Sequence, residues 1–345
     1  MRRQSVHWDG ATIDSVVIPL SILDLAPIRK GQTASDSFAA SVALAQRAEE
    51  CGYRRIWYAE HHNMAAIASS ATSVLVSHIA AHTSHIRLGA GGIMLPNHSP
   101  LTIAEQFGTL EAMYPGRIDL GLGRAPGSDQ VTMRALRRGP ESADRFPDDV
   151  LELQGYLSDE TRIPGVEAVP GKGTHVPLYI LGSSMFGAML AAAIGLPYAF
   201  ASHFAPALLQ EAVATYRREF RPSPQLGQPY VIAGVNVAAA DTSAAAHAQL
   251  VAATRSRVRS MFGRGRTLTD EDVDAILSSP AGHHVQEMLR YVAVGSPSEV
   301  GEYIEAFAKH ADADELIVVH QSPTTEARLR SVELLAEAVP RTSAA

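Results

Sequence analysis

Cysteine is almost absent. Cys51 is the one cysteine in 345 residues, so no disulfide can form within the chain and nothing favours an oxidising compartment. Long apolar runs are missing too, since no stretch nears the ~18 uninterrupted apolar residues that a membrane span needs. Basic residues are outnumbered, 29 Lys and Arg against 36 Asp and Glu for a formal charge of −7. That balance argues against a nucleic-acid or acidic-membrane surface and leaves a small molecule as the expected partner. The N-terminus to Ile18 holds two arginines but no apolar core followed by a small-residue cleavage site, so a cytoplasmic chain is expected. What the chain does have is 46% hydrophobic and 19% charged residues, which suits a soluble protein with a sizeable core. Its length allows two domains at roughly 150 residues each, or one large α/β barrel, which runs from about 200 to over 400 residues as a single unit.

The organising pattern is alternation of short β-branched runs with helical spacing. Val16 to Leu20 reads as a strand, and Asp36 to Cys51 after it carries Phe38, Val42, Ala45 and Ala48 at helical intervals, with Asp36 as cap and Gly52 as stop. Further strands are expected at Arg55 to Tyr58, Ile86 to Leu95, Arg117 to Leu122, Leu178 to Leu181, Tyr198 to Ala201, Tyr230 to Ala239 and Asp314 to Val319. Helices are expected between them at Ser70 to Thr83, Leu101 to Met113, Ser184 to Ile194 and Pro206 to Phe220, with Thr324 to Val339 closing the series. Two segments interrupt the rhythm: 125–176, with one helix at Asp144 to Leu157, and 241–294, helical and rich in arginine. Eight strands without a polar edge strand predict a (β/α)8 TIM barrel of one domain, 1–345, with insertions after strands 4 and 7.

In such a barrel the reactive residues lie just past the C-terminal ends of the strands. Histidines fall there in four of seven places: His61 and His62, His98, His203 and His320. A metal site is not the expectation, because neighbouring side chains on an extended segment point to opposite sides and no His-Glu-x-x-His frame exists around His78 and His82. A phosphate site is better supported. Gly182-Ser183-Ser184 lies between a strand and a helix start, where amide N–H groups, two hydroxyls and the positive helix end converge, and Arg124 at a neighbouring strand end can make bidentate contact. Helix capping by the serines and an acidic partner for Arg124 are the plainer alternatives. The place is unusual, since barrels more often hold phosphate after strands 7 and 8. Glycines at 89, 91 and 92 in the third strand suggest either a flat ligand lying on the backbone or a kink at a barrel corner.

These residues resemble the bacterial-luciferase-like flavin monooxygenases. The resemblance rests on Ala59-Glu60-His61-His62-Asn63-Met64, on Gly91-Gly92-Ile93-Met94-Leu95-Pro96-Asn97-His98, on Pro115 to Arg124, on Gly182-Ser183-Ser184, and on Val294 to Val300 and Ala313 to Leu316. Ala125-Pro126-Gly127 and Ser202-His203-Phe204-Ala205-Pro206 are most similar to a subgroup with polyketide-tailoring members. The resemblance implies a cytoplasmic homodimer that takes reduced FMN from a separate flavin reductase. The flavin would react with O2 at C4a to form a peroxide and pass one oxygen atom to a small, fairly apolar substrate, aromatic or polyketide-derived. It implies that His61 is the catalytic base or positions the flavin peroxide, and that Gly91 and Gly92 are joined by a cis peptide beneath the flavin. Arg124, Gly182, Ser183 and Ser184 would hold the phosphate, and Ser202 and His203 would lie beside the ring. The arginine-rich 241–294 segment, with Arg264-Gly265-Arg266, resembles a mobile lid of the family. Gly182 and Gly123 depart from luciferase, which has glutamate and cysteine there; this puts light emission and aldehyde use in doubt, not flavin binding. A relative using a deazaflavin for hydride transfer and a non-catalytic flavin-binding protein are the rival readings.

Overall fold

Strands form where apolar and β-branched residues can be buried on both faces, as a parallel sheet under helices requires. The computed structural model describes residues 18–125, 129–263 and 266–339. Its strands are β1 (Leu20–Asp24), β2 (Arg55–Tyr58), β3 (Arg87–Met94), β4 (Ile118–Gly123), β5 (Leu178–Gly182), β6 (Tyr198–Phe200), β7 (Val231–Ala239), β8 (Val292–Gly295) and β9 (Glu315–His320). The helices are α1 (Ala34–Glu50), α2 (Thr72–Ala80), α3 (Pro100–Met113), α4 (Gln130–Ala135), α5 (Phe146–Leu157), α6 (Met185–Ile194), α7 (Leu209–Glu219), α8 (Ser243–Phe262), α9 (Asp270–Leu277), α10 (Pro280–Glu287), α11 (Pro297–His310) and α12 (Thr325–Ala338). All strand pairs are parallel and run β1-β2-β3-β4-β5-β6-β7-β9, with β9 closing back on β1. This is the expected eight-stranded (β/α)8 barrel.

Three details differ from the sequence expectation. Of the first expected strand, Val16 to Leu20, Val16 and Val17 lie outside the described residues, and the strand observed runs on from Leu20 to Asp24, just past Pro19, which has no N–H to give to a ladder. Thr33, not Asp36, caps α1, and Asp36 closes the reciprocal capping box by accepting from the Thr33 amide. The segment 241–294 is not wholly helical. β7 runs past β6, which pairs only with Val231 to Ala233, and its exposed edge from Asn236 to Ala239 is covered by β8. An uncovered ladder edge there would leave N–H and C=O groups unpaired. The helices α8 and α9 and the segment around them form a small core of their own from Val258, Leu268, Val273 and Val285. Pro126, Gly127, Arg264 and Gly265 of the motifs quoted above lie outside the described residues. No helix among the described residues is long and apolar enough to cross a membrane.

The barrel interior separates by height. At the N-terminal end Arg55 is buried between two carboxylates, 2.7 Å from Asp119 and 2.8 Å from Glu315, and also donates to the Tyr179 hydroxyl. Such a charge is tolerated without water because it is paired with both carboxylates. Above it lies an apolar layer of Leu23, Trp57, Ile232, Ile317 and Val319, with the Trp57 indole N–H held by Asp119 at 3.0 Å. That layer is the floor of the opposite end.

Candidate active site

The floor meets β3 at its glycines. A Cβ on Gly91 would lie 2.8 Å from the Trp57 Cβ, and one on Gly92 would lie 2.7 Å from the Gly121 carbonyl oxygen. Both positions therefore exclude any side chain, and the peptide between them is cis. The β3–β4 register shifts between Ala90 and Ile93, so the corner irregularity and a bare backbone facing the mouth occur at the same place.

At the end of β2, Glu60 and His62 turn to one side. Glu60 is 1% exposed and accepts from His62 Nε2 at 2.7 Å, His98 Nε2 at 2.8 Å and the Met94 amide at 3.0 Å. Burial works against its charge, but the bonds from His98, His62 and Met94 outweigh it and hold the carboxyl below the usual carboxylate range. One acidic and two imidazole donors thus converge, built from His62 and His98 on separate loops rather than from the adjacent pair His61 and His62. Each imidazole Nε2 is already engaged by Glu60, so the arrangement is that of a carboxylate clamping two loops together. His61, between them in the chain, makes no bond to Glu60 among the described residues. Its Nδ1 is buried without a partner among the described residues. Burial, only partly offset by the charge of Glu60, lowers its pKa and keeps the ring neutral.

On the β4–β5 side the structure brings Arg124 and the Gly182-Ser183-Ser184 turn together. The Arg124 guanidinium stacks 4.2 Å above the ring of Phe186, in the first turn of α6. Ser184 stands at the N-cap of α6, yet its hydroxyl makes no capping bond. Among the described residues Arg124 has no carboxylate partner. Among the described residues, then, Ser184 makes no capping bond and Arg124 no ion pair, and Arg124 lies beside the N-terminus of α6.

At the end of β6, the Ser202 hydroxyl donates to the Gly234 carbonyl at 2.6 Å. The His203 ring lies so close over Gly234 that a Cβ there would come within 2.4 Å of its Nδ1. His203 Nδ1 has no partner among the described residues, and burial, aided by the charge of Arg257, pushes its pKa down to about 3. His320 does not face the mouth: its Nδ1 bonds Ser331 on α12 at 2.8 Å, behind the barrel wall. Sequence reasoning did not single out the anchoring role of Glu60 and His98, the Phe186 platform, or Arg257. The first two lie inside motifs that were noted; nothing local distinguishes Arg257 from the other arginines of α8.

A family model described as luciferase-like monooxygenase matches residues 18–314. The chain is 47% identical to the luciferase-like monooxygenase of Escherichia coli strain K12, over 92% of this chain and 96% of that protein. Among solved structures it is similar to apo-MsnO8, with 37% identity, a TM-score of 0.81, and coverage of 94% of this chain and 100% of that one. At the level of fold alone it is similar to an F420-dependent secondary alcohol dehydrogenase, with 18% identity, a TM-score of 0.68, and coverage of 94% and 100%.

Proposed function

We propose, from the premise that the chain belongs to the luciferase-like monooxygenase family, that this flavin-dependent enzyme uses reduced FMN and O2 to oxygenate a small, fairly apolar organic substrate. The observation that carries a phosphorylated flavin is the corner formed by Arg124, Phe186 and Ser184, which offers a cation without an acidic partner among the described residues and a hydroxyl without a capping bond at one helix N-terminus. Arg124, Ser183, Ser184 and the Gly182 turn would hold the phosphate. Gly91, Gly92 and Gly123 would leave room for the ring over Trp57, with Ser202 and His203 at its side. Bound reduced flavin supplies the two electrons that let O2 give one oxygen atom to the substrate and the other to water. His61 contributes a neutral, desolvated imidazole that can accept a proton at the mouth and return it. The apolar floor and the insertions after β4 and β7 would keep bulk water from the reacting groups.

A separate flavin reductase and a second copy of the chain are the proposed partners, in the cytoplasm. The second reading, hydride transfer with a deazaflavin, is favoured by the fold shared with the F420-dependent alcohol dehydrogenase. Anaerobic titration with reduced FMN, oxidised FMN and F420 separates the two. Tightest binding of reduced FMN, followed on admission of O2 by product formation from an added substrate, supports the oxygenase. Tighter binding of F420 overturns it.

A further inference from the structure

Three arginines on α8 stand two residues apart and do different things. Arg255 and Arg259 face α9, where they pair with Asp270, and Arg255 with Asp274 as well. Arg257, rotated roughly half a turn from both, faces the barrel. It has no carboxylate partner among the described residues, its Nη1 is buried without any partner, and Nη2 makes one long contact of 3.4 Å to Gln321 Oε1. Gln321 is itself held by donating to Asn236 Oδ1 at 2.8 Å, and Asn236 donates to the His203 carbonyl at 2.7 Å. This chain of bonds fixes Arg257 above the ends of β6, β7 and β9. Among the described residues the groups in this chain of bonds are neutral: two amides, and an imidazole whose pKa burial pushes down to about 3.

A half-buried guanidinium with a buried Nη1 is stabilised by an anion, and none is provided among the described residues. The flavin phosphate is not the candidate. In the closed order of strands, β9 lies four places from β4 in either direction, so Gln321 and Arg124 stand on opposite sides of the mouth. Between them lies the apolar floor, with Ile232, Ile317 and Val319 on the Arg257 side.

We propose that Arg257 recognises a carboxylate on the organic substrate, so that the enzyme takes amphipathic acids whose apolar body rests on the floor near β7 and β9. The inference rests on the oxygenase reading for the identity of the reaction, but the carboxylate site stands on its own geometry. Gln321 then acts as a positioning residue, holding the guanidinium plane open toward the mouth.

The test is calorimetric titration of the full chain, with and without reduced FMN, using straight-chain alkanoates from butanoate to decanoate and the matching primary amides. Wild type is expected to prefer acid over amide by roughly 10- to 150-fold, the range for one charge-assisted contact. Arg257→Gln should abolish the preference and Arg257→Lys should keep part of it, while both bind reduced FMN as wild type does. Equal binding of acids and amides, or no binding of any acid, by wild type overturns the proposal whether or not the variants fold. Loss of FMN affinity in Arg257→Gln with the acid preference intact would assign the cation to the flavin instead. An acid preference that persists in a protein binding no flavin would sink the FMN reading and leave the carboxylate site standing.

Discussion

Glu60 offers the sharpest test of how the mouth is held together. Glu60→Ala removes the acceptor for three donors at once: the Met94 amide and the Nε2 atoms of His62 and His98. Each bond to a charged acceptor is worth about 1.5 to 3 kcal/mol when lost in full. The Met94 amide bears that full loss. The His62 and His98 side chains, 18% and 28% exposed, recover part of it from water. The expected cost is therefore about 3 kcal/mol, less than three full bonds. Glu60→Gln should lose only about 1 kcal/mol, because the amide oxygen can accept from Met94 while its NH2 donates to imidazoles in their other tautomer. Urea denaturation with linear extrapolation reads both values, and hydrogen exchange over residues 61–64 and 94–98 shows whether the two loops loosen. The pH dependence adds a sign. Glu60 has a depressed pKa in the folded state, so its contribution is full above the ordinary carboxylate pKa and is lost as pH falls through the folded value. That acid-side loss should shrink in Glu60→Ala. A Glu60→Ala protein as stable as wild type, with unchanged exchange in both loops, would refute the clamp.

Other outcomes follow from the same geometry. Arg124→Ala should weaken reduced FMN by roughly 10- to 150-fold and leave riboflavin nearly unaffected; equal weakening of both flavins would make Arg124 structural. His61→Ala should bind reduced FMN within a few-fold of wild type while substrate oxidation falls by about 100-fold or more and hydrogen peroxide accumulates. His62→Ala should instead lose stability, since its imidazole is tied to Glu60; uncoupling in that variant would reassign the reactive histidine. Gly92→Ala places a Cβ 2.7 Å from the Gly121 oxygen, and overpacking of this kind should cost about 1 to 3 kcal/mol in denaturant midpoint measurements. His203 and His320 are both pushed down to about 3 by burial. Below their ordinary value the unfolded chain binds protons that the folded chain does not, so stability should fall with pH at about 1.4 kcal/mol per unit for each histidine. His320→Asn should lower the slope by about 1.4 kcal/mol per pH unit, the share of one histidine, and an unchanged slope would contradict the assignment.

The sequence was sufficient for the barrel because its signals are local. Buried parallel strands need short β-branched runs, and helices between them need caps and 3.6-residue spacing. β2 was legible to the residue, from Arg55 to Tyr58, since its pattern and the Gly52 break depend on nothing distant. The site was legible in part for another reason. Loops after parallel strands carry the chemistry, so His61, Arg124, Ser184 and His203 could be named before their neighbours were known.

What lies beyond local pattern was decided by the tertiary structure. β8 reads as the end of a helical insertion until the unpaired edge of β7 is seen to need a partner. His320 falls at a strand end like His61, yet its ring turns outward, because side-chain direction follows strand register and the helix packed behind it. Glu60, His62 and His98 are separated by up to 38 residues, and no spacing rule connects them. Arg257 shows the limit best. It is the same residue type on the same helix as Arg255 and Arg259, and only closure of the barrel leaves it half-buried without a carboxylate among the described residues while the other two reach Asp270.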